Sequence, residues 1–69
     1  MSPDEYIQAL RDAGYDVEVV DGNGIYNVVV KNKEGLVWFN IGSYAGASRG
    51  AYELMKAGNF GESNALSTA

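Results

Sequence analysis

The chain contains no cysteine and no histidine. Those two absences remove disulfide bridges, thiolate and imidazole zinc sites, and acid–base or nucleophilic catalysis built on either side chain. A cysteine-free chain also fits a reducing compartment. No apolar run approaches the ~20 residues that a membrane-spanning helix needs. The opening stretch "MSPDEYIQAL" carries acids and no basic leader, so no secretory signal is expected and the expected location is cytoplasmic. Basic residues are scarce: five Lys and Arg stand against nine Asp and Glu, for a net charge of −4.

What charge there is lies unevenly. Residues 1–21 hold Asp4, Glu5, Asp12, Asp16, Glu18 and Asp21 against Arg11 alone, a balance of −5, whereas the rest of the chain balances at +1. Phosphate backbones are held by clustered Lys and Arg. Nucleic acid is therefore disfavoured as a partner. An acidic third points instead to a basic protein surface, or simply to solubility.

Sixty-nine residues make one domain at most. A core of that size contributes about 3–5 kcal/mol of net stability, and small domains usually add a disulfide, a metal or a partner. With the first two excluded, oligomerisation or a well-formed fold remains. The hydrophobic content of 46% is ordinary for a folded protein.

The first element is a helix with a defined start. In "SPDEYIQALRDAG", Ser2 is the expected N-cap, Pro3 takes the first helical position, and Glu5 completes a capping box. Tyr6, Ile7 and Leu10 form the apolar stripe, and Gly14 is the expected stop. Three strands follow: "YDVEVVD", "IYNVVVK" and "LVWFNI". They are separated by "GNG", a strong hairpin signal, and by "NKEG". A second helix is expected in "SYAGASRGAYELMKAG", capped by Ser43 or starting as late as Ser48, and ended by Gly58. Tyr44, Ala47, Ala51, Leu54 and Met55 fall near one face. Gly46 and Gly50 each cost about 1 kcal/mol in a helix interior, and their simplest use is close approach to the sheet. The expected domain is 1–58, an α+β unit of order α-β-β-β-α with a three-stranded antiparallel meander and both helices on one face. Residues 59–69 are expected to form a flexible tail, although Phe60 and Leu66 give that tail the means to fold back on the sheet.

Strand register decides which residues face the helices. Pairing the first two strands across Gly22–Asn23 sets Val19 opposite Tyr26; a turn at Asn23–Gly24 shifts pairs by two and leaves the facing unchanged. Pairing the second and third strands across Lys33–Glu34 sets Val30 opposite Val37, Val28 opposite Phe39 and Tyr26 opposite Ile41. The expected inner face is then Tyr15, Val17, Val19, Tyr26, Val28, Val30, Val37, Phe39 and Ile41. The outer face receives Asp16, Glu18, Val20, Ile25, Asn27, Val29, Lys31, Leu36, Trp38 and Asn40. A solvated sheet face is mostly polar. Here Trp38 sits beside Val29 and Leu36, with Asp16, Glu18 and Asp21 as an acidic flank, and that combination is the candidate protein-binding site. Coverage by the tail, or a bare surface stabilised by cross-strand pairs, are the other readings.

No catalytic constellation is found. Ser2, Ser43 and Ser48 have no evident activating base, and Lys56 reads as a solvated helix residue. Asp16, Glu18 and Asp21 lack the full oxygen-ligand spacing of a calcium loop. "DGNG" opens a strand and is followed by no Gly-Lys-Ser/Thr, so it is a turn and not a phosphate loop. No enzyme activity, metal or cofactor is expected.

The element order resembles that of double-stranded-RNA-binding domains, and "GASRGA" is similar to the small-residue start of their last helix. That resemblance implies phosphate contacts from lysines at the helix start. Here Arg49 stands alone near that position, Gly50 follows it, and the first helix is acidic. The likeness is one of fold. The expected function is a small acidic non-enzymatic protein-binding module that docks on a basic site of a larger protein, as an inhibitor or accessory factor carried by a phage or mobile element. The alternatives are a structural homodimer through the Trp38 face, a degenerate RNA-binding-type domain, and a small-ligand pocket between helix and sheet.

Overall fold

A computed structural model describes residues 1–58 of the chain; the expectations for 59–69 lie outside the described residues. Helix α1 spans Pro3–Asp12. Its start is the anticipated capping box: the Glu5 amide donates to Ser2 Oγ at 3.3 Å, and the Ser2 amide donates to the Glu5 carboxylate at 2.6 Å. The Ser2 amide, and after it the Ser2 hydroxyl, hold the Glu5 carboxyl below its ordinary pKa. Ala13 caps the C-terminus, and Gly14 follows at φ +98°, the left-handed geometry that glycine adopts without strain.

Strands β1 (Asp16–Asp21), β2 (Tyr26–Lys31) and β3 (Val37–Gly42) form an antiparallel sheet in the order β1-β2-β3. Helix α2 (Tyr44–Lys56) closes the unit, with the Ser43 hydroxyl accepting from the Gly46 amide. The early start is the one adopted. Both helices pack on one face of the sheet and against each other. Tyr6 and Tyr52 meet between them with ring centroids 4.9 Å apart. At the helix N-termini the Tyr44 hydroxyl donates to the Asp4 carboxylate, which raises that phenol above its ordinary pKa.

The buried core is Ile7 and Leu10 of α1, Val17, Val28 and Val30 of the sheet, and Ala47 and Ala51 of α2. Tyr15, Val19, Trp38, Leu54 and Met55 pack against it. Small residues on α2 bring its axis close to the strands. At Gly50 a Cβ would lie 2.4 Å from Asn40 Nδ2, and that amide donates to the Ala47 carbonyl at 2.7 Å. The glycine therefore makes room for a side chain that ties β3 to α2. Gly46 is spaced instead against its own cap, since a Cβ there would lie 3.0 Å from Ser43 Oγ.

The first hairpin adopts the Asn23–Gly24 turn. The Gly22 amide donates to the Ile25 carbonyl at 2.7 Å, and both central residues have positive φ, +64° and +94°. Val19 consequently faces Val28 and Val17 faces Val30. The second hairpin differs from expectation by one residue. Its loop has three residues, Lys33, Glu34 and Gly35. The Asn32 amide donates to the Leu36 carbonyl at 3.0 Å, the Gly35 amide donates to the Asn32 carbonyl at 3.1 Å, and Gly35 sits at φ +88°. This is the type I turn followed by a left-handed residue that three-residue hairpins favour. Asn32 Oδ1 supports it by accepting from the Glu34 and Leu36 amides.

The extra residue turns β3 over. Val30 faces Trp38, Val29 faces Phe39, Val28 faces Asn40 and Asn27 faces Ile41. Because side chains alternate with period two, a slip of one exchanges the two faces of a strand. Trp38 and Asn40 lie on the helix side, and Val37, Phe39 and Ile41 point away from it. The expected facing of β1 and β2 stands; that of β3 is reversed.

Candidate functional site

The outer sheet face forms three rows across the strands: Val20–Asn27–Ile41, Glu18–Val29–Phe39 and Asp16–Lys31–Val37. Its β3 side is almost bare. Phe39 is 64% exposed, Ile41 67% and Val37 39%, with Val20 and Ile25 also exposed. Val29 is half-buried between Glu18 and Phe39. A shallow depression runs over the lower rows, lined by Asp16, Glu18, Val29, Lys31 and Val37.

Of the six residues read from the sequence as a site, three come together here: Asp16, Glu18 and Val29. Trp38 does not join them. It packs against the core on the helix side. Leu36, by the same alternation, shares that side and is half-buried at the hairpin mouth. The physical reason is the three-residue loop at Gly35, which sets the register of both. Asp21 serves the first turn instead. Its carboxylate accepts from the Asn23 amide at 3.0 Å and from the Gly24 amide at 3.4 Å. In place of Trp38 and Leu36 the face presents Phe39, Ile41 and Val37. The sequence signal that could have found them is Gly35 itself, three residues after Asn32, which is the spacing of a type I turn with its left-handed follower.

The polar groups on this face are mostly acceptors. Asp16 and Glu18 line its β1 side, and Lys31 is the one base in the three rows. Asn27 Oδ1, in the top row, is shielded from solvent and has no hydrogen-bond partner. A buried acceptor left unpaired costs about 1–3 kcal/mol.

The opposite, helical side offers little to a phosphate. Arg49 Nε donates to Glu53 at 2.9 Å on the surface of α2, and Lys56 lies 5.7 Å from the Tyr52 ring centroid. The serines considered as nucleophiles have structural surroundings. Ser2 and Ser43 are helix caps, and Ser48 is fully buried with its hydroxyl unpartnered. Among the described residues no group of three or more acidic side chains could hold a metal ion, and no helix is long and apolar enough to cross a membrane. Comparison with protein families, curated proteins and solved structures yields no match for this chain.

Proposed function

We propose that the chain is a small non-enzymatic protein-binding module whose docking surface is the outer face of the sheet. Phe39 and Ile41 are its apolar anchors, Val37, Val29 and Val20 surround them, and Asp16 and Glu18 form an acidic flank. The observation that carries this reading is the exposure of Phe39 and Ile41 side by side, 64% and 67%, in a domain whose buried core is aliphatic. Contiguous exposed apolar surface with a polar rim marks an interaction site. The acidic flank of Asp16 and Glu18 favours a partner that brings Lys and Arg. Complementary charge of this kind accelerates encounter and fixes orientation more than it adds affinity. Such a module acts by occupying a basic surface of a larger protein, as an inhibitor or accessory factor.

Affinity capture from the native host tests this, with wild type beside Phe39→Ser and Asp16→Lys/Glu18→Lys. The expected outcome is a basic protein retained by wild type and lost with Phe39→Ser. The charge-reversed variant should retain it more weakly, most visibly at low salt, where screening is least. Equal retention by all three would overturn the assignment of the face.

A further inference from the structure

We infer that β3 pairs edge to edge with β3 of a second copy of this chain, giving a two-fold dimer with a continuous six-stranded sheet. This uses the backbone edge of β3 and not the face, so it stands whether or not a foreign partner binds.

The hydrogen-bonding pattern fixes which groups are free. In an antiparallel pair, residues alternate between those that exchange backbone hydrogen bonds and those that do not. Asn32 and Leu36 are a bonded pair, so Trp38, Asn40 and Gly42 turn their backbone groups toward β2. Val37, Phe39 and Ile41 turn theirs outward. Among the described residues β3 pairs only with β2, so three N–H and three C=O groups line an open edge.

Natural sheets protect such edges with charge, proline, a bulge or a covering group. β3 has none of these in its sequence "VWFNIG". β1, the other edge, carries Asp16, Glu18 and Asp21, and the Arg11 guanidinium donates to the outward carbonyl of Val17 at 2.9 Å. Among the described residues, one edge is guarded and the other is left open.

The open edge is complementary to itself. A two-fold axis at Phe39 sets Phe39 against Phe39 of the second copy, and Val37 against Ile41 on either side. Each pair would exchange two backbone hydrogen bonds, and all three would be apolar on the outer face. On the helix side, Trp38 would meet Asn40. No charged residue lies in β3, so no like charges meet. The acids of the two β1 strands would stand five strand spacings apart, roughly 24 Å at ~4.8 Å each. That exceeds the ~8 Å over which charges act at physiological salt, so the acids of β1 do not oppose this geometry. The pairing also supplies the partner that a small domain without a disulfide tends to require.

Amide hydrogen exchange read residue by residue, together with light-scattering mass, tests the inference on the whole chain over two decades of protein concentration. The mass should rise with concentration from 7.4 kDa to twice that value. The amides of Val37, Phe39 and Ile41 should exchange about ten-fold more slowly or less at the concentrated end, while those of Trp38 and Asn40, already paired to β2, stay unchanged. Chemical synthesis with N-methyl-Phe39 removes one outward donor and leaves every side chain in place; it should shift the mass back to one chain. Exchange at Val37, Phe39 and Ile41 that is independent of concentration would overturn the proposal. So would a dimer that survives N-methylation, since that dimer would be joined through its faces. If the N-methylated chain fails to fold, the wild-type exchange pattern alone decides.

Discussion

β1 and β3 are both six-residue strands that flank the same central strand, and they are built on opposite plans. β1 alternates buried or half-buried Val17 and Val19 with exposed Asp16 and Glu18, so one face is committed to the core and the other to water. Its edge carries charge, and Arg11 occupies one of its outward carbonyls. β3 carries large apolar residues on both faces, with Asn40 its one polar side chain. Trp38 goes to the core side, Phe39 and Ile41 go outward, and no charge lies along it. The lesson is that alternation alone orients a strand only when its two faces differ. β1 contains its own orientation, whereas β3 takes its orientation from the loop before it and from Asn40 beneath α2.

That difference can be broken at its sources. The largest effect is expected at Gly35, whose φ of +88° belongs to glycine. Gly35→Val should cost about 1–3 kcal/mol in urea unfolding, because a β-branched residue is strained there and the three-residue loop loses its preferred form. Gly50→Ala comes next. The added methyl would displace Asn40 from its bond to Ala47, against the ~1 kcal/mol that alanine gains over glycine in a helix. A net loss of about 1–2 kcal/mol is expected, and Asn40→Ala in the Gly50→Ala background should recover part of it. The smallest change sharpens the comparison from the other side. Arg11→Ala should cost about 0.5–1.5 kcal/mol and leave the Val17 carbonyl without its donor, making β1 more like β3. Urea unfolding of Arg11→Ala beside wild type checks it.

Much of the fold is legible in the sequence because several local signals agree. Ser2, Pro3 and Glu5 define the start of α1, Ser43 the start of α2, and "DGNG" the first hairpin, each through a turn or cap with few alternatives. The acidic side of the outer face, Asp16 and Glu18 beside Val29, follows from β1 and β2, whose patterns leave little choice. The apolar side does not. A two-residue turn at Lys33–Glu34 in "NKEG" would require positive φ at two residues that resist it. Gly35 is the residue able to adopt that conformation, and the register moves by one to use it. Trp38 also misleads, since a lone tryptophan on a small sheet suits a docking surface as well as a core. What places it is the room that Gly50 leaves for Asn40, a contact between residues ten apart that strand periodicity does not reveal.

The central claim is that β3 presents Phe39 outward and Trp38 inward. Urea unfolding of Trp38→Ala and Phe39→Ala, measured side by side on dilute protein, tests it most directly. Trp38→Ala should lose about 2–4 kcal/mol, most or all of what a domain this small possesses. Phe39→Ala should change stability by about 0.5–1 kcal/mol. A chain that tolerates the loss of Trp38 and unfolds without Phe39 would contradict the register, and with it the assignment of the outer face.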